Sequence, residues 1–152
     1  MSAIRTDRKS VIRQLVQANA VRTQGELTQL LKEHGFEVTQ ATVSRDMADL
    51  GLQKDASGVY VTAELLHLRA VLQTQLRDVR RAGNQVVVIS GPGAAQGVAA
   101  AIDAVQPKGV LGTLAGDDTV LVIAQDDAAG AAFQTLCEQA ANNNAAAQGR
   151  GR

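Results

Sequence analysis

The chain has 152 residues, in which 15 lysines and arginines balance 15 aspartates and glutamates, and 45% of the residues are hydrophobic. This length allows one domain or two small ones, and the apolar content excludes a wholly disordered chain. The single cysteine excludes an intrachain disulfide framework, and 2% aromatic residues exclude a module that stacks RNA bases. We expect a cytoplasmic protein without a membrane span, because glycines and polar residues interrupt the long uncharged stretch over 82–102.

Residues 6–51 predict three short helices in succession. The first ends near Asn19 and has basic residues between apolar positions at helical spacing, which are Val11, Ile12, Leu15 and Val16. Thr23 and Glu26 have the spacing of a capping box and predict the start of the second helix. Thr39 is placed to cap the third. Gly35 and Gly51 predict the left-handed residues that end the second and third helices.

A small hairpin is predicted next, with strands over 52–55 and 59–62 around the turn Ala56-Ser57-Gly58. Three helices and a hairpin in this order are the outline of a winged helix-turn-helix, which we assign to residues 1–64.

The third helix is predicted to have one apolar face and one face of small residues around Arg45, flanked by Thr42 and Ser44. This composition suits a recognition helix, because small residues admit the backbone to the major groove and Arg45 can fork onto guanine O6 and N7. The basic side of the first helix would then contact phosphates. The pattern favours DNA binding, and the alternative is an exposed Arg45–Asp49 pair with a protein-binding role, since residues 1–68 carry eight basic and eight acidic side chains.

The second half predicts an α+β domain with a four-stranded sheet and two helices. Strands are predicted over 70–80, 86–89, 110–111 and 120–124, and helices over 94–105 and from about Asp126. We assign a linker to 65–69 and the domain to 70–141. Residues 142–152 are of low complexity and are predicted to be disordered.

Two polar clusters in this half are candidates for ligand binding. Gln96 and Asp103 share one face of the predicted helix, since seven residues bring a helix back to within about 20°. Asp117 and Asp118 are adjacent carboxylates on a glycine-bounded turn, and their repulsion requires a metal ion, a guanidinium or an ammonium. A metal-dependent enzyme that uses Asp103, Asp117 and Asp118 is therefore the alternative function, although no nucleophile with a base accompanies them.

Two motifs, one in each half, resemble those of the bacterial arginine repressor family, and the resemblance extends over nearly the whole chain. Residues 40–46, Gln-Ala-Thr-Val-Ser-Arg-Asp, are similar to the recognition-helix motif of that family. Its effector-binding segments are matched by Pro92-Gly93-Ala94-Ala95-Gln96 with Ala101-Ile102-Asp103, and by Leu111-Gly112-Thr113 running into Ala115-Gly116-Asp117-Asp118-Thr119.

The resemblance implies a regulator, not an enzyme, with no catalytic residues, no metal and no cofactor beyond L-arginine as corepressor. It would repress arginine biosynthesis genes, and activation of catabolic genes is compatible with it. Its C-terminal domain would form trimers that stack into a hexamer, with L-arginine between subunits and palindromic double-stranded operator DNA as partner. The implied DNA-binding residues are Gln40, Thr42, Ser44 and Arg45. The implied L-arginine-binding residues are Gln96, Asp103, Thr113, Ala115, Asp117 and Asp118.

Overall fold

The computed structural model describes the backbone of residues 7–148 and the side chains of residues 7–142. The chain divides between Leu66 and His67 into two units, which we call the N-terminal unit and the C-terminal unit. No helix within the described range is long and apolar enough to cross a bilayer.

The N-terminal unit contains three helices followed by a two-stranded antiparallel hairpin. Its elements are α1 (Arg8–Ala18), α2 (Gln24–Glu33), α3 (Gln40–Asp49), β1 (Gln53–Lys54) and β2 (Tyr60–Val61). The Tyr60 N–H donates to the Val21 carbonyl at 2.8 Å, so the connection between α1 and α2 lies alongside the hairpin. This is the predicted winged helix-turn-helix.

Side chains cap α2 and α3 at the residues that the sequence indicates. Thr23 Oγ1 accepts from the Glu26 N–H at 3.1 Å, and Thr39 Oγ1 accepts from the Thr42 N–H at 3.2 Å. The Glu26 carboxylate reaches back as expected, but it accepts at 2.8 Å from the N–H of Arg22, the residue before the cap. Each cap satisfies an amide that the helix itself leaves without a partner.

Apolar residues from all three helices form the core of the N-terminal unit. The fully buried side chains are Ile12, Leu27, Leu31 and Val43. Each such side chain contributes about 1.5–3 kcal/mol through its removal from water. Gly35 and Gly51 follow α2 and α3 with φ angles of 86° and 64°, a left-handed conformation in which glycine has no steric penalty.

The C-terminal unit is a four-stranded antiparallel sheet with helices. Its elements are β3 (Leu76–Ala82), β4 (Gln85–Ser90), α5 (Ala95–Val105), β5 (Val110–Ala115), β6 (Thr119–Ala124) and α6 (Asp127–Gln148), and they follow α4 (Ala63–Gln75), which crosses the boundary between the units. The strand order is β3-β4-β6-β5, so β3 and β5 are the edges. The predicted α+β architecture is confirmed.

The sheet has one buried face and one face that α5 and α6 leave uncovered. The buried face consists of alternate residues of β4 and β6, namely Val86, Val88, Ser90, Val120, Val122 and Ala124. Thr113 is paired with Val122 and bonds to α5, and Arg81 is paired with Val86 and bonds to α6, so both helices lie on the buried side. The opposite face, which we call the outer face, carries Val87, Ile89, Leu114, Leu121 and Ile123.

Three predictions for the second half, a linker, a strand and a disordered tail, are wrong in whole or in part. Residues 65–69, assigned to a linker, lie within α4, and the strand predicted over 70–80 is helical up to Gln75. The hydroxyl of Thr62 accepts from the Leu65 N–H at 3.2 Å, and this capping residue is the sequence signal for α4. The predicted disordered tail is helical over 142–148, while 149–152 lie outside the described residues.

Candidate nucleic-acid interface and candidate ligand site

Helix α3 presents the two faces that its sequence predicts. Val43, Asp46 and Met47 are buried, whereas Arg45 and Ala48 on the opposite side are exposed. The fold therefore orients Arg45 away from the core, with the small side chains of Ala41 and Ala48 beside it on the exposed side.

The four predicted base-reading residues differ in how available they are. Gln40 and Arg45 are exposed, but Thr42 and Ser44 are only half-exposed. The Thr42 hydroxyl lies 3.0 Å from that of Thr39, and Ser44 Oγ lies 3.5 Å from Gln24 Nε2 of α2. Both hydroxyls thus have partners within the protein, which leaves Arg45 and Gln40 as the groups best placed for an external ligand.

Arg45 has no hydrogen-bond or ion-pair partner among the described residues. The exposed Arg45–Asp49 pair that the sequence allowed does not form, because Asp49 accepts from Lys9 Nζ at 2.9 Å. No described residue thus occupies the five N–H donors of the Arg45 guanidinium, which suit a planar acceptor such as a guanine edge or a phosphate.

Two ion pairs join α1 to α3. Arg8 Nε donates to Asp46 Oδ2, and Arg8 Nη2 donates to Asp46 Oδ1 at 3.1 Å. The hydrogen bond to Asp46 is the main cause that raises the pKa of Arg8, and the corresponding bond to Asp49 raises the pKa of Lys9. In the structure Arg8 and Lys9 therefore bind carboxylates of α3, and the expectation that the basic side of α1 contacts phosphates stays a prediction.

The hairpin turn is held by backbone-directed hydrogen bonds. Asp55 Oδ1 accepts from the Ser57 N–H, the Ser57 hydroxyl and the Val59 N–H, at 2.9, 2.6 and 3.1 Å. Arg22 Nη1 donates to the Ser57 carbonyl at 2.6 Å. Lys54 of β1 is exposed, with its ammonium 5.2 Å from the ring centre of Tyr60, so the hairpin carries a cation close to its turn.

In the C-terminal unit, the polar side of α5 lies against the edge strand β5. Thr113 Oγ1 donates to Asp103 Oδ1 at 2.8 Å, and Gln96 Nε2 lies 3.4 Å from the Ala115 carbonyl. Four of the six predicted ligand residues are thus brought together in two pairs, along what we call the α5–β5 seam. Gln96 and Asp103 remain exposed at its surface.

The backbone of the β5–β6 turn is fixed by the ends of β4 and α5. The Asp118 carbonyl accepts from the Ser90 N–H at 2.7 Å, and the Asp117 carbonyl accepts from the Ala95 N–H at 3.1 Å. Both carboxylates are exposed. Asp118 Oδ1 accepts from the Thr119 hydroxyl at 2.9 Å, but neither carboxylate has a cationic partner among the described residues. Two negative charges are therefore held together on a rigid turn.

The alternative metal site is not assembled. Within the described residues, no three histidine, cysteine, aspartate or glutamate side chains come together as metal ligands, so Asp103 does not join Asp117 and Asp118. Burial raises the pKa of Cys137 to about 12, so this thiol is not a nucleophile at neutral pH.

Among the described residues, edge strand β5 also carries the most exposed large apolar side chains. Leu111 is 70% exposed and Leu114 is 72% exposed. Leu114 pairs with Leu121 of β6, which in turn pairs with Val87 of β4, so an apolar row crosses the outer face from its edge. Leu121 and Val87 are partly buried, and an apolar row with an exposed edge of this kind is typical of protein interfaces.

Comparison with known proteins identifies the family. A family model described as the arginine repressor DNA-binding domain matches residues 3–63, and one described as the arginine repressor C-terminal domain matches residues 72–138. The chain is 44% identical to an arginine repressor of Carboxydothermus hydrogenoformans, over 78% of this chain and 87% of the relative. It is 40% identical to one of Thermus thermophilus, over 86% of each chain, and 42% identical to one of Solibacter usitatus, over 84% of this chain and 90% of the relative.

The chain belongs to the arginine repressor family. The members of this family are DNA-binding transcriptional regulators, and L-arginine is their effector, so the protein is a regulator rather than an enzyme. The two family models match separate stretches of the chain, one in the N-terminal unit with α3 and one in the C-terminal unit with the α5–β5 seam.

Proposed function

We propose that the protein is an L-arginine-dependent repressor of arginine biosynthesis genes, which binds palindromic operator DNA as a hexamer of two trimers. We propose that it can also activate genes of arginine catabolism. The observation that carries it is the pair of carboxylates, Asp117 and Asp118, on a fixed turn next to the exposed Leu114, where the described residues supply neither a cationic partner nor an apolar cover. A cationic ligand and further copies of the chain would complete that arrangement.

Asp117 and Asp118 are proposed to bind the charged groups of L-arginine. A carboxylate can accept two parallel hydrogen bonds from a guanidinium, and a second carboxylate can accept from the α-ammonium. Gln96, Asp103, Thr113 and the Ala115 carbonyl provide polar groups for the rest of the ligand along the α5–β5 seam. Lysine would bind more weakly because its ammonium lacks the planar fork.

The outer face is proposed to be the surface through which copies assemble. Leu111 and Leu114 lie on an edge strand, and β5 also contributes Thr113 and Ala115 to the ligand site. A ligand that binds at an interface between copies favours the assembly that creates this interface, so arginine concentration would control the oligomer by mass action.

Helix α3 is proposed to read the operator in the major groove. Arg45 would contact guanine, Gln40 would contact a second base or a phosphate, and Thr42 and Ser44 would contact DNA after exchange of their present hydrogen bonds. Arg13 and Lys54, both exposed, are suited to phosphates. Several such units bound to one assembly multiply a modest affinity, which a nearly neutral DNA-binding unit requires.

The direct test is thermal unfolding of the full chain against the twenty amino acids, magnesium and manganese, with molar mass measured in parallel. We expect a shift in Tm that is selective for L-arginine and a firmer hexamer in its presence. The Asp118→Asn variant should lose most of that shift. Glu138→Gln, at an exposed acid on α6 that is none of the proposed ligand residues, is the charge-matched control and should keep it.

Two outcomes would contradict the proposal. Stabilisation by a metal ion without any response to amino acids would make the Asp117-Asp118 turn a cation site of another kind. A protein whose DNA affinity and mass do not change with any amino acid would be a constitutive DNA-binding protein without an effector.

A further inference from the structure

The bond between Arg8 and Asp46 differs from the other ion pairs of the N-terminal unit in its burial. The Asp46 side chain is 6% exposed and the Arg8 side chain is 35% exposed, although the two residues are 38 positions apart in the sequence. Both carboxylate oxygens accept from the same guanidinium. A two-point contact of this kind fixes the relative orientation of the two groups as well as their distance.

Asp46 lies on the buried side of α3, whose exposed side carries Arg45. It follows Arg45 in the sequence and shares the buried side of α3 with Val43 and Met47. Apolar contacts of these two residues leave some freedom for α3 to rotate about its axis or to slide, because such contacts are not directional. The Arg8 fork is directional, so it selects one rotation of α3 and thereby one direction for Arg45.

We propose that Arg8 is a positioning residue for sequence recognition, which acts through Asp46 to fix the rotation of α3 and does not itself contact DNA phosphates. This inference rests on the proposed role of α3 as the reading helix. Its consequence is that an arginine on the basic side of α1 contributes to the choice of DNA sequence without contact with a base.

The neighbouring pair between Lys9 and Asp49 supplies a matched comparison. It joins the same two helices, but its side chains are 39% and 59% exposed and only one hydrogen bond connects them. Solvent-exposed pairs contribute little to rigidity or stability. Asp49→Asn therefore makes the same change of charge on the same helix as Asp46→Asn, without loss of a buried fork.

The direction in which DNA affinity changes in Asp46→Asn distinguishes a positioning role from a purely electrostatic one. Removal of a negative charge from a DNA-binding surface strengthens binding to any duplex, because repulsion of phosphates decreases. Positioning predicts the opposite result for the preferred sequence. Asp46→Asn should weaken binding to that sequence, since α3 loses the group that fixes its rotation.

The experiment uses the full chain with L-arginine and two probes, a duplex selected by the wild-type protein from a randomised pool and a shuffled duplex of the same length and composition. Affinities are measured by fluorescence anisotropy over a range of salt concentrations. We expect Arg8→Gln and Asp46→Asn each to weaken binding to the selected duplex about tenfold or more. Binding to the shuffled duplex should change by less than about twofold, with the same salt dependence, and Asp49→Asn should retain wild-type discrimination.

Equal losses on both duplexes in Arg8→Gln, with a salt slope lower by about one, would overturn the inference and make Arg8 a phosphate contact. Tighter binding of Asp46→Asn to both duplexes would also overturn it. If Asp46→Asn does not fold, Arg8→Lys decides, because it keeps the charge but loses the fork. Discrimination should fall in Arg8→Lys, and wild-type discrimination there would overturn the inference.

Arg45→Ala in the same assay separates this inference from the proposed function. Retained discrimination in Arg45→Ala would show that α3 is not the reading helix, so the proposed function would fail. Lost discrimination in Arg45→Ala together with wild-type discrimination in the Arg8 and Asp46 variants would overturn the positioning role alone.

Discussion

The two units of the chain differ in how far a single copy completes them. In the N-terminal unit, three helices enclose one core, and the buried Asp46 has a bidentate partner in Arg8. In the C-terminal unit, α5 and α6 cover one face of the sheet, while Leu111 and Leu114 are exposed and the Asp117-Asp118 turn has no cationic partner among the described residues. The residues of a single copy complete the packing of the N-terminal unit, whereas the described residues of the C-terminal unit leave an apolar strand edge uncovered and two carboxylates without a cationic partner.

This difference indicates a division of labour. A reading helix must have a fixed orientation before it meets DNA, so its supporting contacts belong within one copy. A sensor that responds to ligand concentration requires a site whose completion depends on that ligand and on assembly. The predictions below test whether the division is correct, in order of decreasing effect.

Arg45→Ala should remove sequence discrimination almost completely. Each bidentate arginine–guanine contact accounts for about 1–3 kcal/mol of discrimination, and the loss is repeated in every copy that binds the operator. Competition binding between a selected and a shuffled duplex measures it. L-Arginine affinity measured in the absence of DNA should be unchanged, and a parallel loss of arginine binding would show that Arg45 also acts on the arginine site.

Leu114→Asp should dissociate the assembly without unfolding the C-terminal unit. The side chain is 72% exposed in a single copy, so a carboxylate is tolerated there, but burial of that charge between copies is unfavourable. Light scattering should detect a lower molar mass, while circular dichroism stays as in the wild type. A variant that keeps the wild-type mass would exclude β5 from the interface.

Asp118→Asn should weaken L-arginine binding about tenfold, the equivalent of roughly 1.4 kcal/mol. The amide keeps the oxygen that accepts from the Thr119 hydroxyl, so the turn itself should persist. Titration calorimetry measures the loss, with Glu138→Gln as the control. An unchanged Kd would remove Asp118 from the binding site.

The last prediction is a pH dependence of the stability of the C-terminal unit. The thiol of Cys137 is buried and its pKa is raised from 9.0 to about 12, so the folded state keeps it neutral while the unfolded chain ionises it. The resulting stability is full below pH 9 and is lost as the pH rises toward 12, by about 1.4 kcal/mol at pH 10. Lys9 of the N-terminal unit, whose pKa is raised above 10.5 by its bond to Asp49, stays mostly charged at pH 10.

Urea unfolding at pH 8 and pH 10 checks this prediction in wild type and in Cys137→Ala. The variant should be less stable at both values because of the lost packing, but its stability should decrease less between them. The same decrease in both proteins would contradict the assignment of this pH dependence to the thiol.

Local signals predicted most of the N-terminal unit from the sequence. Thr23 and Thr39 predicted the starts of α2 and α3, and Gly35 and Gly51 predicted the residues that follow them, because caps and left-handed positions depend on the chemistry of single residues. The contact of Arg8 with Asp46 could not be predicted in the same way. It joins residues 38 positions apart, and nothing in the spacing distinguishes a cation bound to an aspartate from one free for phosphates.

In the second half, continuous apolar runs predicted β4 and β6, but the strand predicted over 70–80 was wrong for the part that lies in α4. Val71 and Leu76 favour a strand by composition, whereas Leu68 and Leu72, which are fully buried, have helical spacing. For the ligand site, the shared face of Gln96 and Asp103 followed from helical geometry. Their contacts with Thr113 and Ala115 depend on how α5 packs against β5, which the sequence pattern does not contain.

The most direct test of the central claim is the affinity of the wild-type protein for its selected duplex, measured as a function of L-arginine concentration with molar mass recorded on the same samples. We predict that L-arginine tightens binding to the selected duplex and stabilises the hexamer over the same concentration range, and that L-lysine does neither. Binding to the duplex that is independent of L-arginine, or a mass that changes without any change in DNA affinity, would contradict the account.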